Sequence, residues 1–213
     1  MKIDNYSLKI KRKNLIDNCD LNFYPGYVNH IVGKNGVGKS QLAKDFILYN
    51  SGNIPKELSN KVTLISSSSN VPKDITKNAL LELLQDKFKN SSQIFSEINE
   101  ILNIKEIPSN ILIKNLSDGQ KQKLKFLSFL LEDNSLIILD EVTNALDKKT
   151  VNDIYAFLNK FIQNNTSKTI VNITHNLSDL NSIPGKYFIF RNYQIEEYSS
   201  KDQLVNDYIN LYQ

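Results

Sequence analysis

The hydrophobic residues in the first third of the chain recur with the two-residue period of β-strands. KIDNYSLKI and LIDNCDLNFYPGY both alternate in this way, and Pro25-Gly26 predicts a turn at the end of the second segment. The β-branched run VNHIV then predicts a short strand that leads directly into the glycine-rich segment GKNGVGKS. The next segment, QLAKDFILYN, runs from Gln41 to Asn50 and is predicted to be a helix.

The period changes to that of α-helices in the middle of the chain. After one more predicted strand, KVTLI, apolar residues recur at helical spacing between Ile75 and Asn103. NLSDGQKQKLKFLSFLLED is predicted to form one helix that begins near Asp118. We therefore predict a largely helical segment over residues 66–131, inserted between strands.

Strand and helix patterns alternate again in the last third. SLIILDE and KTIVNIT predict strands on either side of a helical segment, VNDIYAFLNKFI. KYFIFRNYQIEEY predicts a β-hairpin, and a short helix is expected from Lys201 onward. This order predicts a single α/β domain over residues 1–213, with residues 1–65 and 132–213 as its core and residues 66–131 as a helical subdomain.

Composition narrows the classes of function. The 213 residues are 40% hydrophobic and 23% charged, as in ordinary globular proteins. A formal net charge of +3 is too small to indicate nucleic-acid binding, so no nucleic-acid partner is expected. No apolar run approaches the ~20 residues that cross a bilayer. The lone cysteine, Cys19, is expected to be a small buried residue, and with the absence of a signal peptide it favours a reducing, cytoplasmic setting.

The segment GKNGVGKS (33–40) matches the full phosphate-loop pattern G-x-x-x-x-G-K-[ST] between a predicted strand and a predicted helix. Gly33 and Gly38 are expected to allow the backbone angles that turn N–H groups toward phosphate. Lys39 is expected to contact the β- and γ-phosphates, and the Ser40 hydroxyl to ligate Mg²⁺. A glycine-rich turn that binds nothing is the alternative, and it does not account for the flanking strand and helix. The predicted nucleotide-binding residues of the motif and the position after it are Gly33, Lys34, Asn35, Gly36, Val37, Gly38, Lys39, Ser40 and Gln41.

The apolar strand SLIILDE ends in two adjacent carboxylates, Asp140 and Glu141. Buried acids are unfavourable unless they are paired or bound to a metal. Beside a phosphate loop, Asp140 is predicted to hold Mg²⁺ and Glu141 to orient or deprotonate the attacking water. Two solvated acids at a strand end are the alternative, which the nearby phosphate loop disfavours.

LSDGQKQKL (116–124) resembles the signature motif of ATP-binding-cassette (ABC) proteins, which is usually LSGGQ followed by a basic helix. The order of the motifs resembles that family as well: phosphate loop, helical insert, signature, acidic strand, then NALD and a histidine. The resemblance covers essentially the whole chain. It implies an α/β fold with a P-loop NTPase core of the ABC type, an N-terminal antiparallel β subdomain and an inserted helical subdomain. It also implies ATP and Mg²⁺ as cofactors.

The resemblance implies roles for further residues. The segment 144–147 looks like the family's D-loop, which assigns Asp147 to that loop. His175 looks like the family's switch histidine, which contacts the γ-phosphate. A histidine with a purely structural role is the alternative for His175. The start of a helix is a natural anion site, and in the family the signature serves ATP held by a second subunit in a head-to-tail dimer. Asp118 replaces the first signature glycine and is expected to cap the helix. The signature residues are Ser117, Asp118, Gly119 and Gln120.

Three other positions depart from the family pattern. The family usually stacks an aromatic residue on adenine, and spacing places Ile10 there, with the nearby Tyr6 as the alternative. Gln41 stands where Ser or Thr is common, which removes a hydroxyl contact to the α-phosphate. The family's glutamine after the strand equivalent to KVTLI is replaced by serines, with Ser67 at the expected position. LISSSSN is therefore interpreted as a Q-loop without its glutamine, and an interdomain linker is the alternative.

The resulting hypothesis is an ATP-binding and ATP-hydrolysing subunit of an ABC transporter. ATP binding would close a dimer and hydrolysis would reopen it. The expected partners are a second copy of the chain or a paralogous ABC ATPase, and a separate transmembrane permease that holds the dimer at the inner face of the cell membrane. The alternatives are a soluble ABC ATPase without a transport role and a weakly hydrolysing regulatory module.

Overall fold

The computed structural model describes residues 1–48 and 54–212. The strands are β1 (Lys2–Ile10), β2 (Lys13–Asn22), β3 (Val28–Val32), β4 (Val62–Ile65), β5 (Leu136–Asp140), β6 (Thr169–Thr174), β7 (Gly185–Arg191) and β8 (Gln194–Tyr198). The helices are α1 (Lys39–Leu48), α2 (Lys56–Ser59), α3 (Lys77–Lys87), α4 (Ser92–Ile101), α5 (Asp118–Leu130), α6 (Lys148–Asn164), α7 (Leu177–Ser182) and α8 (Lys201–Tyr212). Three short 3₁₀ turns cover Lys89–Ser91, Ile104–Glu106 and Ile113–Asn115.

A six-stranded sheet in the order β4-β5-β6-β3-β7-β8 forms the centre of the fold. Its first five strands are parallel, and β8 is an antiparallel edge strand. Every residue of β3, β5 and β6 is buried, as expected for parallel strands that helices cover on both faces. A separate two-stranded antiparallel sheet joins β1 to β2. The fold is therefore α/β, as predicted.

Two apolar clusters lie on opposite faces of this sheet. Alternate residues of β5 divide between them: Ile137 and Leu139 join the first cluster, and Leu136 and Ile138 join the second. The first cluster contains residues of α3, α4, α5 and α6, and the second contains residues of α1 and of the β1–β2 sheet. Cys19 is buried in the second cluster, as predicted.

The predicted strands, the turn at Pro25-Gly26 and the C-terminal hairpin are confirmed. The helical stretch from Ile75 to Asn103 is divided into α3 and α4, because the chain leaves the α-helical path at Phe88 and forms a 3₁₀ turn. The helix predicted over 41–50 begins earlier, at Lys39. Its last two predicted residues, 49 and 50, lie outside the described residues. The short helices α2 and α7 were not predicted.

Within the described parts of the chain, no helix has both the length and the apolar character needed to cross a membrane.

A buried histidine, His30, ties β3 to its neighbours. Its Nε2–H donates to the carbonyl of Ile183 at 2.8 Å, and its Nδ1 accepts from the amide of Asn172 at 3.2 Å. The ring stacks on Tyr187 with the centroids 5.7 Å apart. Burial lowers the pKa of His30 from 6.5 to about 4, because the charged form loses its hydration. The native state therefore holds this imidazole neutral.

We expect His30 to make the folded chain sensitive to acid. Its pKa is lower in the folded state than in the unfolded state, so its contribution is present above pH 6.5 and is lost as the pH falls from 6.5 toward 4. The loss of unfolding free energy between pH 7 and pH 5 should be about 2 kcal/mol. Urea unfolding at the two pH values measures it, and His30→Gln should remove most of this difference. An equal pH dependence in parent and variant would contradict the assignment.

Candidate functional site

The loop between β3 and α1 has the backbone that its glycines predict, but the two motif glycines act differently. Gly38 and the neighbouring Gly36 have left-handed φ angles of 122° and 81°. Gly33 is needed for a close approach instead, since a Cβ there would lie 2.7 Å from the carbonyl oxygen of Phe190. The expectation that Gly33 supplies a special backbone angle is therefore wrong. A glycine is needed at position 33 because Phe190 of β7 leaves no space for a side chain.

Lys39 is held at this loop by its own backbone. The ammonium donates to the carbonyls of Gly33 at 2.6 Å and Lys34 at 3.1 Å. Burial lowers the pKa of Lys39, while Glu141 and Asp140 act in the opposite direction. The Lys39 ammonium can bind an anion when Asp140 and Glu141 are occupied by other partners, because their negative charges then no longer compete for it. The Gln41 backbone N–H donates to the Gly38 carbonyl and belongs to the same turn.

Asp140 ends β5 and is buried, and its Oδ1 atom has no hydrogen-bond partner among the described residues. Burial raises the pKa of Asp140, and a hydrogen bond with the Ser40 hydroxyl lowers it in part. An orphaned carboxylate oxygen next to a hydroxyl fits Mg²⁺, which takes oxygen ligands and is usually bound by one or two protein groups plus substrate phosphates and water. The described residues contain no cluster of three or more His, Cys, Asp or Glu that could hold a metal.

Glu141 and His175, predicted as catalytic residues, lie in contact. The Nδ1–H of His175 donates to Oε1 of Glu141 at 2.9 Å, and the amide of Asn144 donates to Oε2 at 2.9 Å. Both side chains are about one third exposed, at 33% for Glu141 and 38% for His175. Glu141 has a left-handed φ of 54°, a strained conformation of the kind that concentrates at functional sites. The carboxylate is thus fixed and still accessible to water.

A buried network that the sequence did not reveal joins the segments that follow these two residues. Asp179, in α7, accepts hydrogen bonds from the hydroxyls of Thr143 at 3.1 Å and Tyr155 at 2.6 Å. Burial and this carboxylate raise the pKa of Tyr155. Thr143 is two residues after Glu141, and Asp179 is four residues after His175. The network therefore connects the segments that follow Glu141 and His175.

The signature segment forms the start of α5. Ser117 is the N-cap and forms a capping box with Gln120: the Ser117 hydroxyl accepts from the Gln120 N–H at 3.2 Å, and the Gln120 side chain accepts from the Ser117 N–H at 3.0 Å. The expectation that Asp118 caps the helix is therefore wrong. Asp118 is the first helical residue, with an exposed carboxylate 3.4 Å from Lys121, where it complements the helix dipole.

The signature and the predicted D-loop meet at one threonine. A Cβ on Gly119 would lie 2.3 Å from Oγ1 of Thr150, so only glycine allows α5 to approach α6 this closely. Asp147 caps α6 by accepting from the N–H of Thr150 at 3.0 Å and from its hydroxyl at 2.6 Å. The signature and the segment predicted to be the D-loop are thus fixed relative to each other.

The four serines form a hydrogen-bonded turn. The Ser69 hydroxyl accepts from the N–H of Ser66 at 3.0 Å and donates to the carbonyl of Leu64 at 2.9 Å. Ile65 and Val71, on either side, pack into the same apolar cluster. The linker interpretation is therefore wrong, because the serines do not separate two cores.

Ser67 lies exposed at the tip of this turn. It lines a cavity of about 600 Å³ together with Glu141 and Lys125. The turn and the Glu141 carboxylate thus face one common space, although they are far apart in sequence. The assignment of Ser67 to the Q-loop remains a prediction.

Of the two candidates for an adenine contact, the structure excludes Tyr6, and the assignment of the partly buried Ile10 remains a prediction. Tyr6 is fully buried and donates its hydroxyl hydrogen to Asp45 at 2.8 Å, so its ring cannot meet a ligand. Ile10 packs against the second apolar cluster. The cavity next to the phosphate loop is instead lined on one side by Tyr193, a residue that sequence reasoning missed.

Comparison with known proteins agrees with these features. The family model described as "ABC transporter" matches residues 16–144. "Probable peptide export ATP-binding protein YydI" from Bacillus subtilis (strain 168) is 56% identical over 210 residues, which cover 99% of this chain and 100% of that protein. Two solved structures, an ATP-binding subunit of an ABC transporter and a nucleotide-free ATP-binding cassette, each match with a TM-score of 0.77 at 17% identity. The first match covers 98% of both chains, and the second covers 100% of this chain and 99% of the other. At this identity the structures support the fold alone.

We expect Ser67→Gln to raise ATP turnover, because a glutamine at the tip of the turn can extend into the cavity that Glu141 also lines. The gain should be a few-fold to tenfold, or about 1 kcal/mol off the barrier. Steady-state ATPase assays with varied Mg²⁺ measure it. Ser68→Gln is the matched control, since Ser68 is the exposed neighbour in the same turn. Its hydroxyl contacts that of Ser66 at 2.8 Å, so the melting temperatures of the two variants are compared as well. Equal turnover in Ser67→Gln, Ser68→Gln and the parent would show that the Q-loop is placed wrongly.

Proposed function

The chain belongs to the ABC transporter ATP-binding family, and from this premise we propose that it powers the export of a peptide through a separate membrane permease. It is an ATP-binding subunit whose ATP hydrolysis is coupled to transport. The observation that carries the proposed catalytic site is the contact between Glu141 and His175, 2.9 Å apart, at the strand ends next to the phosphate loop.

In this proposal the phosphate loop binds the β- and γ-phosphates of ATP. Lys39 would exchange its contacts with the Gly33 and Lys34 carbonyls for the phosphate oxygens. The N–H groups of the loop and the start of α1 would supply further donors. The negative phosphates would then neutralise the buried Lys39 ammonium, and this interaction would lie next to the bond that is broken.

Mg²⁺ would be held by the Ser40 hydroxyl and by Asp140, directly or through water. When bound, it supplies charge stabilisation for the phosphates during transfer. The unpaired Oδ1 of Asp140 supports this assignment. Ser40 supports it as well, because its hydroxyl already lies against that carboxylate.

Glu141 would act on the attacking water as general base or orienting group. His175 and Asn144 each donate to one of its two carboxylate oxygens, which fixes the direction of the carboxylate. Water positioned by such a group attacks in line with the leaving phosphate. His175 lies on the same side and would contact the γ-phosphate by donating its Nε2–H, which requires both ring nitrogens to carry a hydrogen while Nδ1–H donates to Glu141.

The signature would act on ATP bound to a second subunit. Ser117 and the N–H groups at the start of α5 form a capped helix terminus with a favourable dipole for anions. The second subunit is a copy of this chain or a paralogue. Closure of the head-to-tail dimer around ATP would pull on the permease, and hydrolysis would release it.

The proposal of peptide export rests on the relative that is 56% identical over nearly the entire chain. The permease would anchor the subunit at the inner face of the membrane. The weakly hydrolysing regulatory module is disfavoured by the Glu141–His175 contact, since a module that only binds ATP does not need an oriented base.

We expect Glu141→Gln to bind ATP and hydrolyse it about 10²-fold more slowly or worse, because the general base is lost. The closed dimer should then accumulate with Mg-ATP and elute earlier in size-exclusion chromatography. Glu82→Gln, on the exposed face of α3, is the matched control and should behave like the parent. Normal turnover in a Glu141→Gln protein that stays monomeric would refute the mechanism.

The transport proposal has its own test. Tagged Glu141→Gln protein, extracted from membranes with Mg-ATP, should co-purify with a multi-span membrane protein. The parent chain reconstituted with that protein in liposomes should show ATPase activity that peptides stimulate and free amino acids do not. Extraction without any multi-span partner would favour the soluble ATPase, and stimulation by amino acids alone would exclude a peptide substrate.

A further inference from the structure

The turn between β7 and β8 contains an aromatic residue in an unfavourable conformation. Arg191 pairs with Gln194, so Asn192 and Tyr193 form a two-residue hairpin loop. Their φ angles are 47° and 64°, both left-handed. Hairpin loops of this kind strongly prefer Asn-Gly, because the second position suits a residue without a Cβ. A bulky Tyr193 in this conformation is strained, and nothing in the hairpin requires its ring.

Burial of the Tyr193 ring does not offset the strain of its backbone conformation. Tyr193 is 55% exposed and is one of the large hydrophobic residues that the fold leaves at the surface. Strain without burial does not stabilise the fold. A role outside folding therefore has to account for an aromatic residue at this position.

The surroundings of Tyr193 point to that role. Together with Leu15, Val37 and Asn14 it lines a cavity of about 260 Å³. Val37 belongs to the phosphate loop. Leu15 also touches that loop, since a Cβ on Gly38 would lie 3.1 Å from its Cδ1. The cavity is thus continuous with the loop that would hold the phosphates of ATP.

The turn that carries Tyr193 is fixed in place. The Tyr193 carbonyl accepts from the N–H of Asp17 in β2 at 3.0 Å. Across the hairpin, Arg191 and Glu196 form an ion pair at 2.7 Å. A ring on such a support is already positioned, so stacking on it costs little conformational entropy.

We propose that Tyr193 is the aromatic residue that stacks on the nucleotide base, in the place that sequence reasoning gave to Ile10. This assignment rests on the proposed ATP-binding function and adds a base-stacking contact to it. The base would enter the cavity between the Tyr193 ring and the apolar side chains of Leu15 and Val37. Because every base presents a π-face, the contact should strengthen nucleotide binding with little preference among bases.

Calorimetric titration with ADP and with inorganic pyrophosphate tests the assignment, since the two ligands share the diphosphate and differ in the nucleoside. Tyr193→Gly should weaken ADP binding about tenfold and change pyrophosphate binding less than about twofold. Tyr193→Phe keeps the ring and should bind ADP like the parent. Without ligand, Tyr193→Gly should melt at the same or a higher temperature, because glycine relieves the left-handed strain.

Asn103→Gly is the matched control for backbone effects, because Asn103 is also left-handed, with φ of 50°, and belongs to the distant helical segment. It should leave ADP affinity unchanged. Two results would overturn the assignment of Tyr193 alone: ADP affinity that is unchanged in Tyr193→Gly, or an equal loss for ADP and pyrophosphate. A parent chain that binds neither ligand would overturn the proposed function, and the assignment with it.

Discussion

The register of β3, β5 and β6 is the constraint on which the functional geometry depends. In the parallel ladder, Val32 at the end of β3 lies opposite Thr174 at the end of β6, and Asp140 at the end of β5 lies opposite Ile173. The three strands therefore end within one residue of each other. The phosphate loop, the Glu141 turn and the His175 loop begin at the same edge of the sheet, which is where ligands bind in open parallel sheets. A shift of one residue in any strand would move its side chains to the other face and separate Glu141 from His175.

The same edge concentrates charges that the fold does not neutralise by itself. Burial lowers the pKa of Lys39 and raises the pKa of Asp140, so both groups are pushed toward their uncharged forms. Their attraction, and the nearby Ser40 hydroxyl, oppose that shift in part. A polyanion and a divalent cation would satisfy both groups at once. Ligand binding should therefore stabilise the folded chain, because such ligands bind the native state and not the unfolded one.

Two sets of contacts link segments that are distant in the sequence. The network of Asp179, Thr143 and Tyr155 holds together the segments that follow Glu141 and His175. Thr150 contacts Gly119 on one side and Asp147 on the other. Both the turn after Glu141 and the signature helix therefore lie against residues of α6 or of its partners. The serine turn, Glu141 and Asp118 of the signature segment line one common cavity.

The sequence by itself determined the elements and motifs that depend on neighbours along the chain. The apolar runs of β3, β5 and β6, the glycines of the phosphate loop and the acidic end of β5 were predictable, because burial of a strand and loop curvature are local properties. Only the tertiary structure decided which residues meet across long sequence separations. It showed that Phe190 approaches Gly33 and that Thr150 approaches Gly119 too closely for any side chain at either glycine. It also showed that Asn144 donates a hydrogen bond to the second carboxylate oxygen of Glu141. Tyr6 is buried and cannot contact a ligand, whereas Tyr193 lies next to the phosphate loop. Such contacts follow from strand register and helix packing, which no local pattern specifies.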